Sequence, residues 1–181
     1  MAPELEEIEA QILVALQENP RISISELSTK VKASRPTIIK TLTAMMEENK
    51  LLISSGVNAR TNDCRLANVG INVGTPAARA RIIDVLQKCP KVLNIYRTTD
   101  QANLLITLCG VDEKSITSTI NCIGDLENVE VKYSQSLGVP LKDLIIPISV
   151  GDNSRTACGR NCDECMSLQN GWCSGCYTFK E

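Results

Sequence analysis

Five cysteines, Cys158, Cys162, Cys165, Cys173 and Cys176, crowd the stretch CGRNCDECMSLQNGWCSGC near the end of the chain. Their spacing is C-x3-C-x2-C-x7-C-x2-C. Each C-x2-C pair brings two thiolates close enough to clamp one ion. The seven residues between the pairs let the chain fold back and close a four-thiolate tetrahedron. The whole sequence holds nine cysteines and no histidine, so the ligands must be thiolates, with Asp163 or Glu164 as the nearby carboxylates. Two centres fit four cysteines, a structural zinc or an iron–sulfur cluster. Cys162, Cys165, Cys173 and Cys176 make the preferred set. Cys158 then joins an iron–sulfur site through the x3-x2 run, or remains a thiol beside a zinc. That run also matches radical-SAM cluster spacing, but no barrel accompanies it. Disulfides, or an unfolded tail with spare thiols, are the plainer alternatives. The sole Trp172 and sole Phe179 lie here with Tyr177, expected to cover a metal in a segment too short to build its own core.

Other chemistry is sparse. No histidine serves as a general base, and no nucleophile–base pair or phosphate-cradling glycine loop is present, so an enzyme is not expected. Cys64, Cys89, Cys109 and Cys122 fall singly on strand and helix patterns and read as small buried hydrophobes. The second informative stretch is basic. Between Pro20 and Met45 stand Arg21, Lys30, Lys32, Arg35 and Lys40 against Glu26 alone. The chain of 181 residues has a net charge of −2, so any nucleic-acid contact must come from this local patch. The opening MAPELEEIEAQ is acidic and lacks the pattern of a secretory signal. No apolar run approaches the roughly 20 residues that span a bilayer. A reducing cytoplasm with no membrane partner is expected, where clustered cysteines hold metal more often than they form disulfides.

The basic stretch needs elements to present it. Residues 4–18 read as a helix with an acidic first turn after Pro3 and an apolar stripe of Leu5, Ile8, Ile12 and Leu16. NPR at 19–21 stops it. Ser23 and Glu26 have capping-box spacing and open a second helix with Leu27 and Val31 inward. A tight turn reaches Ser34, the N-cap of a third helix that carries Pro36 in its first turn and buries Ile38, Leu42 and Met45. Asn49 ends it in the left-handed conformation, and a hairpin around Gly56 reads as a wing. Three short helices, a tight turn and a hairpin make a winged helix-turn-helix over residues 1–62, the layout that sets a helix in the DNA major groove.

From Cys64 the period changes to two, with Val69, Ile71 and Val73 on one face. A helix follows Thr75-Pro76, with Ile82 and Leu86 inward. KVLNIYRTT and ANLLITLCGV read as paired strands, DEKSITSTINCIGDL as a helix burying Ile116, Ile120 and Ile123, and VEVKYSQSL as a further strand. The order β-α-β-β-α-β is the ferredoxin-like split unit, assigned to residues 63–150. LIIPISV at 144–150 is expected as an edge strand because of Pro147. Residues 151–181 are a linker and the cysteine tail. The fold class is therefore α+β: a winged helix-turn-helix, a ferredoxin-like domain and a small Cys-rich module.

A helix-turn-helix followed by this unit resembles the Lrp/AsnC family of bacterial and archaeal transcription regulators, over residues 5 to about 150. ILVALQENPRISISELSTKVKASRPTIIKTLTAMMEENKLL looks like the family's first domain, and VLNIYRTTDQANLLITL like the strand-turn-strand of its effector domain. The resemblance implies binding to double-stranded DNA as a homodimer or a higher even oligomer, and in many members an amino-acid effector. Thr37, Lys40 and Thr43 are expected at base edges, Lys32 and Arg35 at phosphates, with Ser34, Pro36 and Thr41 on the same surface. The family commonly carries an arginine where this chain has Thr41. In the turn containing Thr99, Asp100 and Asn103, the family commonly has a glycine and, three residues on, an aspartate, at the positions of Asp100 and Asn103. The same fold serves as an enzyme in sirohaem decarboxylation, which calls for the histidines this chain lacks. The expectation is a DNA-binding regulator whose thiolate tail senses metal or redox state. A purely structural zinc tail is the rival, followed by a metalloprotein on this fold that does not bind DNA.

Overall fold

The computed structural model describes residues 5–62, 64–147, 161 and 164–172. The chain divides into two compact units, Met1–Ile53 and Ser54–Glu181. The division precedes the expected boundary after residue 62, because the residues from Gly56 on pair with the second unit.

In the first unit, α1 spans Glu7–Glu18, α2 Ile24–Val31 and α3 Arg35–Glu47. Helix α1 starts later than its acidic run suggested, because Glu9 reaches back and accepts from the Glu6 N–H at 2.9 Å, which marks Glu6 as the N-cap. At α2 the capping box forms as read: Glu26 N–H donates to Ser23 Oγ at 3.2 Å and Ser23 N–H to Glu26 Oε2 at 2.9 Å. Lys32 closes α2 in the left-handed region, φ 56°, and Asn49 does the same past α3, φ 56°. Ile12, Ala15, Leu27, Val31, Ile38, Met45 and Leu51 form the core, with Leu42 at its margin. Each fully buried aliphatic side chain contributes about 1.5–3 kcal/mol. Helix α3 is thus anchored by Ile38 and Met45, and its remaining faces are available.

The second unit holds β1 (Gly56–Asn58), β2 (Arg65–Val73), α4 (Pro76–Gln87), β3 (Val92–Arg97), β4 (Leu104–Gly110), α5 (Glu113–Gly124), β5 (Val129–Leu137), β6 (Ile145–Pro147) and a short α6 (Met166–Gln169). Four strands make an antiparallel sheet in the order β3-β4-β2-β5, the ferredoxin-like arrangement. Ala67, Val69, Ile71 and Val73 of β2 and Leu104, Ile106 and Leu108 of β4 alternate toward α4 and α5, meeting Ala78, Ile82, Leu86, Ile116 and Ile123 in one core. The opposite face carries Asn68, Gly70, Leu105 and Thr107. Thr107 donates to Asn68 Oδ1 at 3.0 Å. A Cβ at Gly70 would lie 2.4 Å from the Tyr133 ring, so the missing side chain is what lets that ring cross the sheet.

The hairpin wing expected around Gly56 is not what these residues form. β1 pairs antiparallel with β6, through Gly56–Pro147, Val57–Ile146 and Asn58–Ile145, as a separate two-stranded sheet. The reason lies in side chains: Ile146 is buried with Ala59, Cys64, Leu66 and Cys109, and Val57, Leu93, Leu137 and Leu144 pack around them. β6 therefore does not extend the four-stranded sheet, as an edge strand over 144–150 would.

Candidate nucleic-acid interface

The presentation of α3 is built from its N-terminus. Ser34 Oγ accepts from Thr37 N–H at 3.3 Å and shares a 2.7 Å contact with Thr37 Oγ1. The turn before it is locked by Ser28, whose hydroxyl donates to Ala33 O at 2.5 Å. Lys32, Ser34, Arg35, Pro36, Thr37, Lys40 and Thr43 are all exposed, while Thr41 is half-buried. Lys30 is tied to Glu18. Among the described residues, no carboxylate lies within 4.0 Å of the ammonium or guanidinium groups of Lys32, Arg35 or Lys40. Two of these three cations flank the positive end of a helix dipole, an arrangement that favours phosphate.

Sequence reasoning missed two features of this unit. The first is Ile39, half-exposed between Arg35 and Thr43. Residues four apart share one helix face, so Arg35, Ile39 and Thr43 present a cation, an apolar surface and a hydroxyl in a row. An exposed isoleucine near a basic stripe was the available signal. The second is an ion network between α1 and the end of α3. Glu9, only 6% exposed, accepts from Lys50 Nζ at 3.1 Å, and Lys50 also pairs with Glu48 at 2.8 Å. The Glu6 N–H, and after it the Lys50 ammonium, hold the Glu9 carboxyl below its ordinary value. Glu48 first, then Glu9, raise Lys50. A cavity between α1 and α3 is lined by Glu6, Glu9 and Glu48 together with Thr37, Lys40 and Thr41. Thr41 thus borders a carboxylate cluster, whereas Thr43 lies clear of it. Glu9 and Lys50 are far apart in the chain, so no local pattern reveals their meeting.

In the sheet domain, Thr99 and Asp100 are exposed. Asn103 is structural. Its Oδ1 accepts from Val73 N–H at 3.1 Å and its Nδ2 donates to Val73 O at 3.0 Å. The carboxamide mimics a backbone unit and continues the β2–β4 ladder by one step. An aspartate could accept in this way but could not donate to Val73 O.

Of the predicted metal ligands, Cys158, Cys162, Cys173 and Cys176 lie outside the described residues. Cys165 is half-buried at the N-cap of α6. Among the described residues, no group of three or more cysteine or carboxylate side chains is placed to hold a metal ion. Tyr177 and Phe179 also lie outside, and Trp172 is 64% exposed. Ser167, Asn170, Gly171 and Trp172 line a groove with Thr117, Asn121 and Cys122 of α5. No helix among the described residues is long and apolar enough to cross a membrane.

Residues 5–51 match the family model for winged helix-turn-helix DNA-binding domains. No curated protein sequence matches the chain. Among solved structures, the chain is similar to the leucine response regulatory protein LrpA of Mycobacterium tuberculosis, with a TM-score of 0.66 and 16% identity over 79% of this chain and 100% of that one. It is similar to E. coli AsnC, with a TM-score of 0.60 and 19% identity over 80% and 100%. It is also similar to the feast or famine regulatory protein of M. tuberculosis complexed with L-methionine, with a TM-score of 0.64 and 16% identity over 79% and 99%. Identities this low establish a shared fold, a helix-turn-helix joined to a ferredoxin-like sheet domain.

Proposed function

We propose that the protein is a DNA-binding transcriptional regulator of the Lrp/AsnC kind, and not an enzyme. The observation that carries this reading is the exposed row on α3 beside cations that have no carboxylate partner among the described residues, in a unit that matches a DNA-binding family model. Lys32 and Arg35 contact phosphates. Thr37, Lys40 and Thr43 reach base edges in the major groove, and Ile39 meets a thymine methyl. Ser34 and Pro36 set the helix start. The protein works as a homodimer or a higher even oligomer, and the open sheet face with Gly70 and Tyr133 is the surface the second copy covers. Electrophoretic retardation of genomic fragments at low salt tests the reading. Retained fragments that share a two-fold symmetric site are expected. A chain that retards no fragment, with the tail metal-loaded or metal-free, rejects it.

The tail adds regulation. Cys162, Cys165, Cys173 and Cys176, with Cys158 in reserve, bind zinc or an iron–sulfur cluster whose state alters DNA affinity. The spacing of the thiols supports this, and a metal in such a site would cross-link a segment without a core of its own. Serine at Cys173 and Cys176 should remove the metal and change operator affinity by at least about 1 kcal/mol, the low end of ordinary coupling energies. Metal lost with unchanged affinity and unchanged oligomer size would leave a structural staple in place of a sensor. A visible spectrum of anaerobically purified protein separates the two centres, since zinc thiolate is colourless and iron–sulfur is brown.

A further inference from the structure

Three cysteines outside the tail converge in the sheet domain. Cys109 on β4 is fully buried, and Cys64, just before β2, is 8% exposed in the same apolar cluster. Cys64 lies two residues before Leu66, which faces Cys109 across the β2–β4 ladder, so both side chains leave the same face of the sheet. Cys89 follows α4, and a turn from Cys89 to Val92, closed by a 3.0 Å bond, brings the chain back against β4. There the Cys109 N–H donates to Lys91 O at 2.8 Å, and the Cys109 thiol lies 3.9 Å from Pro90 O. Lys91 itself is only 4% exposed. Burial pushes the Cys109 thiol up to about 12, the neighbouring Cys64 and Cys89 push the same way, and the Lys91 ammonium opposes them. Packing alone does not call for three sulfurs and a buried ammonium in one place. No three of these groups are set to hold a metal, whereas two neighbouring thiols can be joined by oxidation.

We propose that Cys89 and Cys109 form a second, oxidisable thiol site in the sheet domain, converted to a disulfide by hydrogen peroxide. The half-buried Cys89 reacts first, because peroxide can reach it while Cys109 is fully buried. The Cys89 sulfur displaces one peroxide oxygen as water and becomes a sulfenic acid. The Cys109 sulfur then attacks the Cys89 sulfur, the S–O bond breaks, and the hydroxyl leaves as water with the Cys109 proton. Two thiols and one peroxide give one disulfide and two waters. Cys64 stays reduced and packs against the product. This site stands independently of the tail and of DNA binding.

The sequence allows a clean test. Trypsin cuts the chain so that the three thiols fall on three peptides, Thr61–Arg65, Cys89–Lys91 and Thr98–Lys114. Reduced full-length protein is treated with a small excess of hydrogen peroxide, alkylated, digested without reductant and weighed. The expected product is Cys89–Lys91 joined to Thr98–Lys114, lighter by two hydrogens than the separate peptides. It should vanish in Cys89→Ser and persist in Cys64→Ser. Both substitutions spare the fully buried Cys109, and circular dichroism confirms that Cys64→Ser, which alters a residue of the apolar cluster, keeps the fold. A Thr98–Lys114 peptide that stays fully alkylated under peroxide overturns the proposal, and so does a link from it to Thr61–Arg65.

Discussion

Single side chains in the three-helix unit do two jobs, and substitution can separate them. Lys32 closes α2 with φ 56°, a conformation that costs a residue other than glycine about 1–2 kcal/mol. It also supplies a cation beside α3. Lys32→Gly should therefore raise the unfolding free energy by up to about 1 kcal/mol. It should weaken binding to every DNA sequence alike and reduce the salt slope by about one unit. Urea denaturation and salt-titrated anisotropy measure the two effects on one variant, and lost stability would show that the side chain braces the turn in some other way. Glu9 carries a linkage with a definite sign. Its carboxyl titrates below 4.5 in the fold, held by the Glu6 N–H and by Lys50, so the folded chain binds fewer protons than the unfolded one. The stability it contributes is complete above the ordinary glutamate range and drains away as pH falls through the lowered value. Thermal midpoints of wild type and Glu9→Gln, compared between pH 7 and 3, should converge toward the acid end. A gap that stayed constant over that range would show that the charge of Glu9 is not what matters.

At the level of elements, the β1–β6 pair is the feature most exposed to a small change. A Cβ at Gly56 would sit 2.0 Å from Ile146 O, a backbone atom that cannot step aside. Gly56→Ala should cost about 1–3 kcal/mol, as overpacking does. It should also speed exchange of the Ala59 amide, which donates to Leu144 O at 2.8 Å. Gly138 has nothing within 4 Å of such a Cβ, so Gly138→Ala is the matched control and should leave both measurements nearly unchanged. Equal behaviour of the two variants would remove the close approach as an explanation. This pair also marks the limit of what was legible beforehand. The helix starts at Ser23, Ser34 and Thr75 and the left-handed stop at Asn49 could be read because caps are local chemistry. The sheet strands could be read because Val69, Ile71 and Val73 repeat every second residue. Strands of three residues carry no such period, and Gly56 gives no sign that its partner is Pro147. The same holds for Glu9 with Lys50, and for Cys64, Cys89 and Cys109, each unremarkable in its own stretch of sequence. The bonds of the Asn103 carboxamide to Val73, which extend the ladder, are likewise visible only in the fold.

For the whole molecule, every residue of the three apolar clusters among the described residues precedes Pro147. A chain ending at Pro147 should keep its helix and strand content and melt within about 4 °C of the full protein, roughly the span of 1 kcal/mol for a chain of this size. Circular dichroism and calorimetry check this. A collapse of the sheet domain on truncation would make the tail part of the core and not an attachment to it. The clasp of β1 and β6 has a mechanical consequence as well. Gly56, where β1 begins, and Pro147, where β6 ends, face each other in the first of three rungs. A load applied across the two ends would meet those rungs one at a time, as in a zip, and not all together, as in a lap joint. The four-stranded sheet would feel that load only after the third rung, Asn58–Ile145, had parted.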